Sequence, residues 1–406
     1  MTVLSQLCLP KGWECHALGR LAVRVQEYGR PDLPPLSVFL DKGVVPRSFR
    51  EEENHNRLGE DLARYQVVRP GDIVFNKLRT WQGGLGLSRY EGIVSPAYFV
   101  CRPGKETEPR YLHYLLRSSL YLQELARISK WMPPSQFDIG WDELRRLPIV
   151  APPWSVQVAI ADYLDSEIAR IDAIVDKKRK MAELVLARRS AFIDEKIERL
   201  NKAYRSVRLK HVSPRIEVGI VVTPAAWYAE TGVLALRGLN VRPGEITLED
   251  PVSLSPEGHA FHQKSMLHAG DVVVVRTGQA GAAAEVPSEL DGCNCIDLLI
   301  VRQSKLVLSN YLVLVLNSHW TQSHIDKHSV GTIQSHLNVS ALADVTVPLP
   351  PLDAQRKIAK ELESITARSA QLATVLEREV GLLFERRRAV MTMAVTGNLA
   401  IPGVAR

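Results

Sequence analysis

The segment Leu144-Arg-Arg-Leu-Pro-Ile-Val-Ala-Pro-Pro-Trp-Ser-Val-Gln-Val-Ala-Ile-Ala-Asp-Tyr-Leu164 returns, altered but ungapped, as Leu342-Ala-Asp-Val-Thr-Val-Pro-Leu-Pro-Pro-Leu-Asp-Ala-Gln-Arg-Lys-Ile-Ala-Lys-Glu-Leu362. Laid at a constant shift of 198, residues 144–193 and 342–391 are identical at 14 of 50 positions, where chance gives about three. The matches include Pro152, Pro153, Gln157, Ile160, Ala161, Leu164 and, further on, Arg188 and Arg189. Upstream the echo is weaker. Gly71-Asp72-Ile73-Val74 matches Gly270-Asp271-Val272-Val273, Tyr111-Leu112 matches Tyr311-Leu312, and Ser135 matches Ser335. The chain is two tandem copies of one unit of about 199 residues.

Each copy opens with a mixed stretch of Gly, Pro and short β-branched runs and closes with a long helical pattern. In the first, Asp72 to Asn76 and Gly92 to Val94 read as strands around a loop from Leu78 to Leu87. In the second, Asp271 to Val275 and Cys295 to Val301 read as strands around Arg276 to Glu285. Short helices are expected at 109–128 and 309–325. Pro152-Pro153 and Pro350-Pro351 punctuate the entry to the long helices, with Ser155 and Asp353 as N-cap candidates. Apolar residues then recur at spacings of three and four: Leu164, Ile168, Ile171, Val175, Ala182, Val185 and Phe192, and in the second copy Ile358, Leu362, Ile365, Leu372, Leu376, Leu383 and Val390. Such a stripe has the width of a coiled-coil seam. Lys178 and Arg189 fall on it, so an isolated helix would be poorly buried and the other copy's helix is the natural antiparallel partner.

The expected fold is therefore α+β, a pseudo-twofold tandem duplication with two similar globular modules joined by two long antiparallel coiled-coil helices. The boundaries are 1–152 for the first module, 153–204 for the central helix, 205–350 for the second module and 351–399 for the C-terminal helix.

Composition narrows the function. The 406 residues are 46% apolar and 24% charged, and no stretch reaches the roughly 18 to 20 apolar residues of a membrane helix. Residues 1–20 lack a basic start followed by an apolar run, so a cytoplasmic location without a membrane is expected. Five scattered cysteines, Cys8, Cys15, Cys101, Cys293 and Cys295, fit a reducing compartment. The net charge of +6 permits a polyanionic partner without demanding one.

Enzymatic readings fail on their motifs. Ala151-Pro-Pro-Trp154 has the outline of the loop with which adenine methyltransferases hold a flipped base, yet Ala151 lacks the side-chain carbonyl that would accept the amino proton. No Gly-rich strand-to-helix turn for S-adenosylmethionine precedes it, and no Gly-x4-Gly-Lys-Ser/Thr phosphate loop for an ATP motor occurs. Asp194-Glu195-Lys196 lies on a helix without an acidic partner in a strand, which argues against a nuclease. Cys293, Cys295, His319, His324 and His328 lack paired zinc-ligand spacing.

The two Pro-Pro segments, each followed at fixed spacing by a Gln and an Ile that open a long helix, resemble the central and C-terminal repeats of the specificity subunits of type I restriction-modification enzymes. The first copy departs by carrying Ser155-Val156 where an acidic residue usually stands. The resemblance implies two target recognition domains, each reading one half of a split, asymmetric sequence in double-stranded DNA, with the helices as a ruler. It implies a non-catalytic targeting subunit that binds no cofactor itself. S-adenosylmethionine would belong to two methyltransferase (M) subunits that methylate adenine, and ATP and Mg to restriction/translocase (R) subunits.

Base edges are read by Arg or Lys against guanine and Asn or Gln against adenine, on loops whose glycines let the backbone approach phosphate. The first module offers Asn76, Lys77, Arg79, Thr80, Trp81, Gln82 and Arg89, then Lys130, Ser135 and Gln136. The second offers Arg276, Thr277 and Gln279, then Lys327, Thr332, Gln334, Ser335 and His336. The two sets hold equivalent places but differ in residues, as two different half-sites require. A coiled-coil scaffold that binds protein is the competing class, and it would have less reason to diversify these loops.

Overall fold

The computed structural model describes residues 10–40, 42–48, 61–132, 136–328, 336–402 and 404; at 131, 132, 136, 137 and 326–328 only the backbone is described. Two compact units emerge: Met1–Arg179 with Arg378–Arg406, and Lys180–Glu377. Each therefore takes a share of both long helices, Trp154–Ala203 and Leu352–Val395.

Unit 1 is built on a four-stranded antiparallel sheet in the order Ala22–Val25, Tyr98–Pro103, Ile73–Asn76, Leu85–Leu87. Helices Pro109–Arg117 and Ser119–Ile128 pack on it, and Glu14–Ala17 pairs with Pro148–Ala151 at the entry to the first long helix. The core joins Ile73, Phe75, Tyr111 and Leu115 to Ile160, Leu164 and Ile168 of the first long helix and to Met391, Ala394 and Val395 of the second.

Unit 2 repeats the plan. Its sheet runs Ile216–Val218, Leu298–Val301, Val272–Val275, Ala283–Glu285. Ser309–Leu316 and His319–His328 take the helical places, and Ser206–Arg208 pairs with Thr346–Pro348. Here Ile358, Ala359 and Leu362 open the helix that packs on the core, and Ile197 and Leu200 come from the other. The copies diverge outside this frame. Unit 1 adds the two-stranded pairs Leu36–Phe39 with Gly43–Pro46 and Gln66–Val68 with Gly92–Val94, whereas unit 2 adds a second four-stranded sheet in which Val233–Leu236 runs parallel to Asn294–Cys295.

The duplicated motif has a structural cause. Gln157 is buried; its Oε1 accepts the N–H of Glu108 at 2.9 Å, and its Nε2 donates to the carbonyls of Glu106 at 3.2 Å and Pro152 at 2.8 Å. Gln355 repeats this with the N–H of Leu308 and the carbonyls of Leu306 and Pro350, at 2.9, 3.0 and 2.9 Å. One side chain thus ties the start of each long helix to the loop that leads into the preceding helix pair, satisfying backbone groups that burial would orphan. The sheets carry a second repeated tie, Asp72 with Arg102 at 2.8 Å and Asp271 with Arg302 at 2.7 Å.

The long helices pair antiparallel within each unit. In unit 1, Glu167 meets Arg386, Asp172 meets Arg387 and Lys178 meets Glu379, at 2.8, 3.5 and 2.6 Å, so residue numbers fall along one helix as they rise along the other. In unit 2, Lys196 meets Glu361 at 2.7 Å. Lys178 tolerates its place on the seam because its charge finds this partner.

Several sequence expectations need correcting. The helices begin at Trp154 and Leu352, and the carbonyls of Pro153 and Pro351 accept from Gln157 and Gln355; the prolines, not Ser155 and Asp353, stand at the caps. The seam also shifts phase. Phe192 and Leu372 are exposed, and Ile193, Ile197 and Ala373 take the inner face, because a straight helix drifts from a strict heptad. The expected loops are shorter, since Leu85–Leu87 and Ala283–Glu285 fold back as strands on Ile73–Asn76 and Val272–Val275. Gly92–Val94 pairs with Gln66–Val68 and not with the central strand. The run from Cys295 to Val301 breaks at Asp297, whose φ is 51°.

Candidate nucleic-acid interface

Both loop tips hang from the same hinge. After the central strand of unit 1, the carbonyl of Lys77 accepts the N–H of Ile139 at 3.3 Å. In unit 2 the carbonyl of Arg276 accepts the N–H of Leu337 at 3.0 Å. The hairpin Lys130–Met132 with Gln136–Asp138 is thereby tethered to the first loop, and residue 336 bridges to Thr277 in the second.

In unit 1 much of the loop is spent holding its own shape. Asn76 Oδ1 accepts the N–H of Leu78 at 3.1 Å, the Thr80 hydroxyl donates to the Asn76 carbonyl at 2.6 Å, and Trp81 Nε1 donates to the Leu78 carbonyl at 3.2 Å. Thr80 is wholly buried, so it braces the tip and does not face solvent. The turn needs Gly83, at φ 93°, and Gly84, where a Cβ would lie 2.7 Å from the Arg79 carbonyl oxygen. This leaves Arg79 and Gln82 exposed at the tip, without side-chain bonds among the described residues. Lys77 is half-buried; its Nζ donates to the Pro96 carbonyl at 2.7 Å and lies 4.7 Å from the centre of the Phe99 ring. Burial, followed by the charge of Arg24, lowers the pKa of this lysine from its ordinary value.

One candidate of unit 1 stands apart from that tip. Arg89 lies beyond the far end of the strand Leu85–Leu87, where it lines a cavity of about 450 Å³ with Lys42, Asp165, Asp172, Asp176 and Arg387. Lys130 is exposed, 3.8 Å from Glu143. Of Gln136 only the backbone is placed, and Ser135 lies outside the described residues.

In unit 2 the tip is a closed polar network. Arg276 Nη1 donates to Asp297 Oδ1 at 2.8 Å, and the Thr277 hydroxyl donates to Asp297 Oδ2 at 3.1 Å and stands 3.1 Å from His336 Nδ1. Gln279 is exposed beside Gly278, whose φ is 88°. Lys327 is placed by its backbone alone; Thr332, Gln334 and Ser335 lie outside the described residues. The sequence reading passed over Asp297, although an acid inside a Leu-Ile-Val run was a visible signal. It also passed over Arg24, which an alternating strand hides.

Residues 241–380 match the family model Methylase_S, described as the type I restriction modification DNA specificity domain. The matched span holds the second loop tip, Asp297, the Gln355 clamp and the start of the second long helix. The second half of the chain therefore carries a domain of the type I restriction-modification DNA specificity kind. The putative type I restriction enzyme MjaX specificity subunit of Methanocaldococcus jannaschii is 23% identical over 361 residues, spanning 84% of this chain and 81% of that protein. The MjaVIII specificity subunit of the same organism is 23% identical over 427 residues, spanning 97% and 95%. In fold, this chain is similar to a solved structure reported under "Structural basis underlying complex assembly and conformational transition of the type I R-M system", with a TM-score of 0.74, 18% identity, and coverage of 96% of this chain and 99% of that one. The description of the matched domain points to a role in DNA sequence specificity. Among the described residues no helix is long and apolar enough to cross a membrane.

Proposed function

We propose that this chain is the non-catalytic DNA-reading subunit of a cytoplasmic type I restriction-modification complex, in which each unit reads one half of a split, asymmetric duplex site. The observation that carries the reading is the pair of equivalent tips, Asn76 to Gln82 and Arg276 to Gln279, hung on matching hinges yet built from different polar residues. Repeated clamps hold the frame constant while the tips vary, as expected of two readers that share a scaffold and differ in target. Arg79, Gln82 and Gln279 are the exposed residues best able to meet base edges. Lys77, Arg276, Thr277 and His336 shape or charge the tips.

The chemistry belongs to partners. Two methyltransferase subunits would methylate adenine in each half-site with S-adenosylmethionine. Restriction/translocase subunits using ATP and Mg would cleave unmodified DNA. That a similar structure is described in terms of type I complex assembly supports such partners here. The antiparallel helix pairing supports their use as a ruler that fixes the unread gap.

Selection from random duplex pools tests the reading, using the full chain with its methyltransferase partner at two salt concentrations. Enrichment of two short motifs at a fixed gap, with affinity falling steeply with salt, is the expected result. Neither enrichment nor salt dependence would leave only a protein-binding scaffold.

A further inference from the structure

Phe99 sits on the strand Tyr98–Pro103, between its neighbours Ala22–Val25 and Ile73–Asn76. Arg24 on one side places its guanidinium carbon 4.8 Å from the centre of the Phe99 ring and 5.6 Å from that of Trp141. Lys77, on the other side, places Nζ 4.7 Å from the same Phe99 centre. Phe99 and Trp141 meet edge to face at 5.7 Å. A ring face attracts one cation, but a second one nearby adds repulsion that only an anion offsets. Among the described residues neither cation forms an ion pair, and Arg24 Nε is buried without a hydrogen-bond partner.

Unit 2 shows that the fold does not need this arrangement. Sheet register puts Ile216 where unit 1 has Arg24 and Leu299 where it has Phe99, since Ile216 pairs with Val301 as Arg24 pairs with Cys101, and Val274 with Leu299 as Phe75 with Phe99. Both are apolar and pack in the unit 2 core. Arg276, the counterpart of Lys77, is held by Asp297. An aliphatic solution exists, yet unit 1 keeps two cations beside its loop tip that have no ion pair among the described residues, with Asp138 acting on Lys77 only from beyond ion-pair distance.

We infer that Arg24 and Lys77, braced on Phe99 and Trp141, form a cationic seat for the phosphodiester backbone of the duplex approached by unit 1. The inference rests on the DNA-reading role proposed above and adds a site to it. Lys77 accounts for its own lowered proton affinity in these terms: partly desolvated and facing Arg24, it is poised to gain from a neighbouring phosphate. The seat positions the tip and reads no base, whereas Arg79 and Gln82 remain free to do so.

The test uses the full chain in the complex that binds the selected duplex, comparing R24M, K77M and wild type across a salt series. Each substitution should lower the slope of log affinity against log salt by about 1 and weaken binding at low salt by about tenfold, with the selected motif unchanged. An unchanged slope and affinity in both variants, with the wild type still selecting its motif, would overturn the seat and leave the DNA-reading role standing. Wild-type protein that selects no motif would overturn both. If R24M fails to fold, methylphosphonate replacement along the duplex decides. Neutral linkages facing the seat should weaken wild type and leave K77M indifferent, and equal loss in both proteins refutes it.

Discussion

Replacing Gln355 by Ala removes one side chain and three buried hydrogen bonds: one accepted from Leu308 N–H and two donated, to the carbonyls of Leu306 and Pro350. At about 1 kcal/mol net per bond, with a further penalty for a buried N–H left without an acceptor, the loss is about 3–5 kcal/mol. A unit of this size shifts by about 2–4 °C per kcal/mol, so the midpoint of unit 2 should fall by about 6–20 °C. Gln157→Ala should do the same to unit 1, through Glu108, Glu106 and Pro152. Because the two clamps lie in different units, their effects should add to within about 0.5 kcal/mol in the double variant. Gln355→Glu keeps the acceptor but loses both donors and buries a charge, so it should be no milder. Scanning calorimetry on the full chain is the assay. A shift below about 2 °C for either single alanine variant would refute the clamp as the reason the Gln recurs.

Asp271→Ala should destabilise unit 2 by about 2–3 kcal/mol in urea unfolding, since it leaves the N–H groups of His268 and Gln303 without their acceptor and removes one of the two carboxylates on Arg302, which keeps Glu217; a loss below about 1 kcal/mol would contradict this. His113 is half-buried and accepts the N–H of Leu87 at 3.1 Å; desolvation, then the charges of Arg117, Arg387 and Arg89, lowers its pKa to about 3. The unfolded imidazole takes a proton near its usual value and the folded one does not, so stability falls as pH drops below that value, by about 2 kcal/mol at pH 5. His113→Gln should remove this dependence in unfolding curves, and a variant that keeps the full slope would assign it elsewhere. Burial raises the thiol pKa of Cys293 to about 12 and those of Cys101 and Cys295 still further; a thiol reagent at pH 8 should therefore label exposed Cys15 in the native chain and these three only after unfolding. Deleting seven residues from one long helix should change the gap between selected half-sites or abolish assembly, and an unchanged gap would remove the ruler.

The duplicated frame could be read from the sequence because its ties are local and paired. Gln157 and Gln355 stand at one spacing from the prolines that precede each helix, and Asp72 and Asp271 each follow a glycine and open a β-branched run. The finer placement could not be read, since it is decided by residues distant in sequence. Phe192 fits the heptad as well as Ile193 does; only the second helix, through contacts such as Lys196 with Glu361, selects the inner face. The prolines looked like punctuation before a cap, but a cap needs a free carbonyl rather than a free N–H for the first helical bond, and Pro153 and Pro351 supply it.

At the tips the sequence named the right stretch and misjudged the parts. Asn76, Thr80 and Trp81 have side chains suited to base contact, yet a tight turn in a half-buried loop leaves backbone groups that the nearest polar side chains satisfy first, and these three do so. The roles of Arg24 and Asp297 were missed because each acts across strands, Arg24 beside Phe99 and Asp297 beside Arg276. Those two residues mark where the copies part company in electrostatics. Unit 2 neutralises its arginine internally with Asp297, while unit 1 leaves Arg24 and Lys77 without ion pairs among the described residues. A phosphate contact made by unit 1 should therefore dominate the salt dependence of binding, and unit 2 should contribute through hydrogen bonds that salt hardly touches. Comparing salt slopes for Lys77→Met and Arg276→Met measures that division: the first should fall by about 1 and the second by much less, and equal slopes would show that the internal pairing of Arg276 opens on DNA.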